Sequence, residues 1–369
     1  RMFNLSDQER GAIENNQDLD QIYIDIIQNL LSNLAEAEKH QLFGDGPLSE
    51  SLKGWDRQSL LHSLRALATP DAVRLMGKAT LLDDYRQRST LLFIREEIDE
   101  AFSDLEEIEG GMDQLPNALA NAPLCDGTTL KERITFGCEV CKINQEESGI
   151  TVTVKRDGKL EEIKASYTLC TIPFSVLRRI EVQGFSGSKK IRDAIQGLGY
   201  QSSTKVLVNC DRRFWEFDGI YGGKSLTDQA IKQTYYPSDN YQQRNRQVSE
   251  GPGVLLGSYT WGATALRIGA LDQEARGQFV VDGLKRFHPN IKDHLNSEDP
   301  FVSMAWDQYS YAAGAFSSSY PHDLQMFFPD AGRPAGRLFF AGEHLSPYPT
   351  WIQGALWSAL QAVKQIVLA

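Results

Sequence analysis

Apolar residues recur mostly at helical spacing through the first hundred residues of the chain. The segments "DLDQIYIDIIQNLLSNLAEAEKH", "DRQSLLHSLRALAT" and "DAVRLMGKATLLDDYRQRSTLLFIREEIDEAF" carry this pattern. Gly46-Pro47 and Thr69-Pro70 separate them, because glycine and proline interrupt regular structure. The pattern predicts a helical domain over residues 1–104.

Alternation of apolar and polar residues replaces helical spacing in the next section. "EGGMDQLPNALANA" predicts a glycine turn and a short amphipathic segment. Residues 132–177 predict a meander of strands with turns at Ser148-Gly149 and Asp157-Gly158. A third region begins near Ser203, where "TKVLVNCDRRFW" and "GVLLGSYTWG" predict strands and residues 271–289 predict a helix. Together these segments predict a mixed α/β fold.

The segment "GRLFFAGEHLSPYPTWIQGALWSALQAV" near the end predicts a strand, a loop and a helix. Gly342 lets the backbone approach a ligand, and Glu343 places an acceptor at the strand's C-terminal end, where open α/β sheets bind ligands. The helix is predicted to begin at Trp351, and its free N–H groups would stabilise a phosphate or a reduced flavin ring. A plain strand–loop–helix corner is the alternative. The predicted packing face consists of Ile352, Ala355, Leu356, Ala359, Val363 and Ile366.

Composition and charge narrow the class of protein. The chain has 369 residues, of which 41% are hydrophobic and 24% charged, as in ordinary globular proteins. A net charge of −11 argues against nucleic acid and anionic membranes as partners. No segment predicts a transmembrane helix, so we expect a soluble protein, either secreted or cytoplasmic.

One pair of cysteines has the spacing of a metal site. Cys138 and Cys141 form a CxxC motif, but no second pair and no nearby histidine accompanies it. Residues three apart on a strand point to opposite faces, so the pair cannot converge on one ion. We therefore predict no metal site.

Several segments together resemble one enzyme family. "FFAGEH" followed by "WIQGALWSAL" resembles the C-terminal flavin motif of the flavin-containing amine oxidases, and "EGGMDQLPNAL" resembles a flavin loop of that family. "CEVCKI", "STKVLVNCDRRFWE" and "GVLLGSYTWG" resemble its adenine-contacting, lysine-bearing and substrate-domain strands. Over about residues 70–369 the chain is similar in particular to L-amino-acid oxidases, including those of snake venoms. The resemblance implies FAD as cofactor, a helical domain and a mixed-sheet substrate domain.

The family's phosphate-binding motif is the main departure. Its N-terminal βαβ unit carries G-x-G-x-x-G, and no such sextet occurs in this sequence. We therefore expect the C-terminal part of an oxidase, proteolytically processed or otherwise separate, with an N-terminal chain carrying G-x-G-x-x-G as partner. Residues 1–104 would line substrate entry, 105–182 and 333–369 would belong to the FAD-binding domain, and 183–332 would bind substrate. We also expect a homo-oligomer.

Two strand residues are the sharpest candidates for chemistry. Alternation in "SSTKVLVNC" puts Lys205, Leu207 and Asn209 on one face, which by itself favours a surface lysine. The resemblance implies instead that Lys205 is catalytic, because the family's lysine holds a water beside flavin N5 and assists reoxidation by oxygen. Tyr259 is either a half-buried strand tyrosine or, by resemblance, the hydrogen-bond donor to the substrate carboxylate.

The resemblance implies further contacts with substrate and cofactor. Trp351 matches an aromatic residue that faces the flavin and the substrate amine, and Thr350 stands where venom enzymes have a glycine whose carbonyl receives that amine. Phe316 matches a side-chain pocket position that Trp306 and Tyr311 would also line, with a core role as the alternative. The implied cofactor-binding residues are Gly110, Gly111, Met112, Val140, Gly342, Glu343, Trp351 and Ile352. His344 is the histidine expected near the cofactor.

The implied reaction is the oxidation of an L-amino acid by molecular oxygen, giving a 2-oxo acid, ammonia and hydrogen peroxide. An amino-acid 2-monooxygenase, an amine oxidase and a non-catalytic interaction protein on the same fold are the alternatives. Tyr259 argues against an amine oxidase, because amines lack a carboxylate. The retained Lys205, Glu343 and Trp351 argue against the non-catalytic protein.

Overall fold

The first part of the fold is helical. The computed structural model describes residues 19–32, 34–43, 47–79, 81–102, 107–239, 251–328 and 330–369, so predicted helix within residues 1–18 lies outside it. The helices of this part are α1 (Leu19–Ser32), α2 (Glu36–Gln41), α3 (Glu50–Arg57), α4 (Leu60–Leu67), α5 (Pro70–Ala79), α6 (Leu82–Tyr85) and α7 (Thr90–Phe102).

Local capping and a shared core hold these helices together. Ser49 Oγ accepts from the Leu52 N–H at 3.3 Å and so begins α3. Ser59 Oγ accepts from the His62 N–H at 3.4 Å and begins α4. Most buried apolar residues of this part form one cluster that includes Leu52. Leu324, which is distant in sequence, packs into the same cluster and ties the helices to the rest of the chain.

A four-stranded sheet forms the second part. Its strands are β1 (Glu139–Glu146), β2 (Gly149–Arg156), β3 (Lys159–Ala165) and β5 (Glu181–Gln183), in the order β3-β2-β1-β5. The first three are antiparallel neighbours, as the predicted meander requires, and β5 runs parallel to β1. The short helices α9 (Phe174–Leu177) and α10 (Lys189–Gly197) share a core with this sheet, and α8 (Gln114–Asn121) precedes the sheet in the chain.

A five-stranded sheet forms the third part and carries the predicted lysine strand. Its order is β11 (Phe301–Ala305), β7 (Ser203–Cys210), β10 (Gly253–Trp261), β9 (Gln233–Tyr235) and β8 (Lys224–Leu226). Val206, Val208 and Cys210 are completely buried, and they pack in one cluster with residues of α12 (Gly262–Gly269) and α13 (Gln273–Leu284). Lys205 points to the other face, so the predicted alternation is confirmed.

Two short strand pairs join these parts. The parallel pair is β4 (Thr168–Cys170) with β13 (Leu338–Phe340), and the antiparallel pair is β6 (Tyr200–Gln201) with β12 (Phe316–Ser317). The remaining helices are α11 (Phe214–Phe217), α14 (Asp323–Phe327) and α15 (Ile352–Leu368). The observed mixture of helices and sheets confirms the predicted mixed α/β class.

The apolar face predicted for the last helix is not the face that this chain buries. Ile352, Leu356 and Val363 are 48%, 44% and 50% exposed, whereas the buried residues of α15 are Gly354, Ser358 and Ala362. Small residues are selected on this face because the 342–348 segment lies against it. A Cβ on Gly354 would collide with the backbone carbonyl of Tyr348. Within the described ranges, no helix combines the length and apolar character needed to cross a membrane.

Candidate active site

Lys205 and Tyr259 lie opposite each other on neighbouring strands. They are direct partners in the antiparallel register of β7 and β10, so their side chains share one face of the sheet. Lys205 Nζ lies 4.6 Å from the centroid of the Tyr259 ring, within the range of a cation–π contact. In the described part of the chain, no carboxylate forms an ion pair with Lys205. The Lys205 residue is exposed, yet neighbouring atoms remove enough water from its ammonium group for desolvation to lower its pKa.

A wall of aromatic rings extends from Tyr259. Its ring meets the Trp261 ring edge-on at 5.5 Å between centroids, and Trp261 meets Phe316 in the same way at 5.3 Å. Tyr85 of α6 contacts Trp261 from the helical part at 5.1 Å. The structure therefore brings Phe316 into the same contact series as Tyr259 and Lys205. An apolar or aromatic ligand group would match such a wall.

Glu343 joins the aromatic wall to the loop before α15. Its Oε1 accepts from the Ser317 N–H at 2.9 Å, and its Oε2 accepts from the Ser317 hydroxyl at 2.8 Å. The same Oε2 accepts from the Thr350 N–H at 2.7 Å. Burial raises the pKa of this carboxyl, against the opposing effect of these three hydrogen bonds. In this structure Glu343 therefore orders two segments, and its contact with a cofactor stays a prediction.

Thr350 and Trp351 shape the entry to the last helix. Thr350 has φ of 71°, in the left-handed region that favours glycine. The indole N–H of Trp351 donates to the backbone carbonyl of Glu96 at 3.2 Å, which fixes the ring against α7. Trp351 is the N-cap of α15 and provides no side-chain cap, and Ile352 follows it half-exposed.

Gly342 and His344 occupy the tight turn between β13 and this loop. The Gly342 N–H donates to Ser358 Oγ at 2.9 Å, and a Cβ at Gly342 would collide with the imidazole of His344. His344 is 2% exposed and packs edge-on against Phe174, with ring centroids 4.5 Å apart. Desolvation lowers the pKa of His344 to about 3, so its imidazole is neutral at physiological pH. The structure places this histidine in the core.

The predicted flavin loop lies on a different segment. Gly110 and Gly111 have φ of 86° and 102° and form an exposed turn before α8. Met112 is 54% exposed, and Val140 is a partly buried residue of β1. Since these side chains have no part in the contact series from Lys205 to Thr350, their role with a cofactor stays a prediction.

The described residues show no metal centre of the usual kind. No group of three or more His, Cys, Asp or Glu side chains in these ranges is placed to hold an ion. Cys138 and Cys141 are both free thiols.

Comparison with known proteins identifies the family. The sequence matches the flavin containing amine oxidoreductases over residues 16–367. The chain belongs to this family. The resemblance found from the motifs is therefore confirmed, and the cofactor of this flavin-containing family member is FAD.

Two sequence relatives of the chain are named as amino-acid oxidases. It is 37% identical over 280 residues to a flavin-dependent L-tryptophan oxidase of Lentzea aerocolonigenes, a match that covers 74% of this chain and 55% of that protein. It is 31% identical over 306 residues to an L-amino-acid oxidase of Pseudechis australis, covering 82% of this chain and 56% of the relative. The chain thus spans little more than half the length of these relatives.

Solved structures show the same fold. Putrescine oxidase bound to putrescine has a TM-score of 0.69 at 18% identity, over 100% of this chain and 77% of that one. Cyclohexylamine oxidase from Brevibacterium oxydans has a TM-score of 0.70 at 15% identity, over 94% of this chain and 74% of that one. At these identities the likeness concerns the fold alone.

The described residues fit the ring end of FAD. The first turn of α15 has no side-chain cap, so the N–H groups of Ile352 and Gln353 are available to an electronegative carbonyl. Lys205 supplies a cation without a carboxylate partner among the described residues. The pyrophosphate end has no corresponding glycine-rich loop, because this sequence holds no G-x-G-x-x-G.

Sequence reasoning missed two members of the site. Trp261 lies two positions after Tyr259, so period-two alternation on β10 could have placed both rings on one face. Ser317 follows Phe316 and donates twice to Glu343, a contact across 26 residues that no local pattern reveals. The sequence also predicted that Trp306 and Tyr311 line the same pocket as Phe316. In the structure the ring of Tyr309 contacts both of them, at 6.5 Å from Trp306 and 5.7 Å from Tyr311 between centroids.

Proposed function

We propose that the chain forms the substrate-binding and ring-binding part of an FAD-dependent L-amino-acid oxidase. The reaction converts an L-amino acid, water and oxygen into a 2-oxo acid, ammonia and hydrogen peroxide. The observation that carries the proposal is the pairing of Lys205 with Tyr259 on one sheet face, with Nζ 4.6 Å from the ring centroid. The sequence relatives with amino-acid oxidase names support the same substrate class.

Each residue of the contact series has a role in this reaction. FAD, when bound, takes two electrons from the amino acid and passes them to oxygen. Tyr259 donates its hydroxyl hydrogen to the substrate carboxylate, and Trp261 and Phe316 border the substrate side chain. Lys205 presents positive charge where negative charge develops, which is the usual form of electrostatic catalysis. The imino acid released by oxidation reacts with water to give the 2-oxo acid and ammonia.

Product analysis with a matched pair of substrates tests this proposal. The protein loaded with FAD would receive L-tryptophan or tryptamine, which differ by the carboxylate alone. We expect stoichiometric hydrogen peroxide and ammonia from L-tryptophan and much slower turnover of tryptamine. An amide product without ammonia would identify a 2-monooxygenase, and preference for tryptamine would identify an amine oxidase. Lack of flavin binding and of turnover in the intact protein would contradict the proposed oxidase and these two alternative enzymes.

We further propose that a βαβ unit carrying G-x-G-x-x-G, on a segment or chain outside this sequence, packs against α15. Support comes from an apolar stripe whose residues are 44–79% exposed: Ile352, Leu356, Leu360, Val363 and Val367. Stripes of this kind normally face another element.

The double variant Leu356→Glu with Leu360→Glu tests this packing. It should abolish FAD retention, while circular dichroism should show that the chain stays folded. Lys364→Glu, an exposed change on the same helix, is the control. Unchanged FAD retention in the double variant would contradict the proposal.

A further inference from the structure

A cavity lies apart from the Lys205–Tyr259 face. It has a volume of about 600 Å³, in the range of small-molecule sites, and is bordered by α3, α7, α14 and α15. Its apolar walls include Leu48, Leu324, Phe328 and Trp357. The described lining residues also include neutral polar side chains such as Gln361, and none of them is an aspartate or glutamate.

Arg95 is the unusual member of this cavity. The residue is 6% exposed, and its Nε atom is buried without a hydrogen-bond partner among the described residues. No ion pair or hydrogen bond connects any part of its guanidinium to a described residue. Desolvation lowers the pKa of Arg95 to about 10, so the group still carries its charge at neutral pH. A buried charge without hydrogen bonds is costly, and native proteins normally satisfy it.

The carboxylate that influences Arg95 electrostatically does not form a hydrogen bond with it. Asp56 favours the charged form of Arg95. However, Asp56 Oδ1 accepts from Ser89 Oγ at 3.2 Å, and Oδ2 accepts from the Gln325 N–H at 3.0 Å and from Gln325 Nε2 at 2.9 Å. Both oxygens of the Asp56 carboxylate therefore already accept hydrogen bonds, from Ser89 and from Gln325 of α14. The guanidinium is left facing the cavity.

We propose that this cavity binds a small carboxylate that carries an apolar body, with the carboxylate on Arg95. The planar guanidinium fork matches a carboxylate bidentately, and the leucine and aromatic walls match an apolar chain or ring. Lys53 and Arg333 also line the cavity, but they already pair with Glu50 at 2.8 Å and Asp330 at 3.2 Å. One unpaired buried cation therefore defines the site, which favours a monocarboxylate over a polyphosphate.

Calorimetric titration with octanoate and octanamide tests this site in the intact protein. The two probes share their apolar chain and differ in charge, so the comparison does not depend on any variant folding. We expect octanoate to bind about tenfold or more tightly than octanamide, because a charged carboxylate forms stronger hydrogen bonds with the guanidinium than a neutral amide does. Equal affinity for the two probes, or equal affinity for inorganic phosphate, would overturn the proposal.

Variants locate the octanoate. Arg95→Gln should weaken binding to the octanamide level, and Arg95→Lys should retain part of the difference because it keeps the charge. Arg65→Gln, at an exposed arginine of α4, should bind like the unmodified protein. Tyr259→Phe should also leave octanoate binding unchanged. Loss of binding in Tyr259→Phe, or full binding in a folded Arg95→Gln variant, would refute the site at Arg95 whatever substrate the oxidase uses.

Discussion

Asp84 makes the stability of the protein depend on pH in a window that can be calculated. This carboxyl lies at the start of α12, where a Cβ on Gly262 would collide with it, and the Ala263 N–H donates to it. Burial raises its pKa from 3.8 to about 6, and the positive charge of Lys232 offsets this only partly. The folded protein therefore holds a proton on Asp84 at pH values where the unfolded chain has released it.

The sign and size of the effect follow from linkage. Since the folded pKa is the higher one, the stabilising contribution is complete below about pH 3.8 and is lost as the pH rises through about 6. The pKa difference corresponds to about 3 kcal/mol, and solvent screening of this partly exposed group reduces it to about 2 kcal/mol. Asp84→Asn keeps the acceptor for Ala263 and removes the charge. We expect the variant to gain about 2 kcal/mol of unfolding free energy at pH 8.

Denaturant unfolding between pH 4 and pH 8 measures this gain. The difference between Asp84→Asn and the unmodified protein should be close to zero at pH 4 and should grow between pH 4 and about pH 6. Asp71→Asn is the matched control, because Asp71 pairs with Arg74 at 3.2 Å on α5 and is not among the groups that shift the pKa of Asp84. It should not become more stable than the unmodified protein as the pH rises. A flat difference for Asp84→Asn across this range would refute the reasoning.

Three further substitutions test the site. Lys205→Met removes the charge at similar side-chain length, and it should slow the reaction of the reduced protein with oxygen more than it slows anaerobic reduction by the amino acid. Stopped-flow absorbance measures these two half-reactions separately, and an unchanged rate with oxygen would show that Lys205 has only a structural role. Tyr259→Phe should weaken amino-acid binding by about 1–3 kcal/mol and hardly affect the corresponding amines, and equal losses would exclude carboxylate recognition. Thr350→Gly should stabilise the fold by about 0.5–1 kcal/mol, because it relieves a left-handed φ at the cost of backbone entropy; a lower melting temperature would contradict this.

The face of Lys205 could be predicted from the sequence because strand alternation is local. Every second residue of β7 points the same way, and the valines between had to be buried. The same logic failed for α15. Hydrophobicity favoured Leu356 as a core residue, but close approach of the preceding loop buries Gly354 and Ser358 instead. Periodicity reports which residues share a face and does not report what lies against it.

Contacts between distant segments were beyond any local pattern. The sequence suggested Glu343 as an acceptor at a strand end, and it is an acceptor, but its donors come from Ser317 and Thr350. Likewise, "TLLFIREEIDEAF" predicts a helix and gives no sign that Arg95 faces a cavity bordered by α15. Both facts depend on how the helical part and the sheets are brought together, which tertiary packing decides.

The three hydrogen bonds of Glu343 have a consequence for how this site can change. Phe316 and Ser317 are neighbours on one strand, and Thr350 and Trp351 are neighbours on one loop, so a single carboxylate sets the distance between the aromatic wall and the start of α15. A substitution that reshapes the wall for a new side chain also moves the N–H groups of that helix. In the proposed oxidase, selectivity and electron transfer are therefore inherited as one trait. An altered substrate range should arise more readily at Tyr85, which meets the wall from the helical part through Trp261 and is two rings away from the Phe316–Ser317 strand.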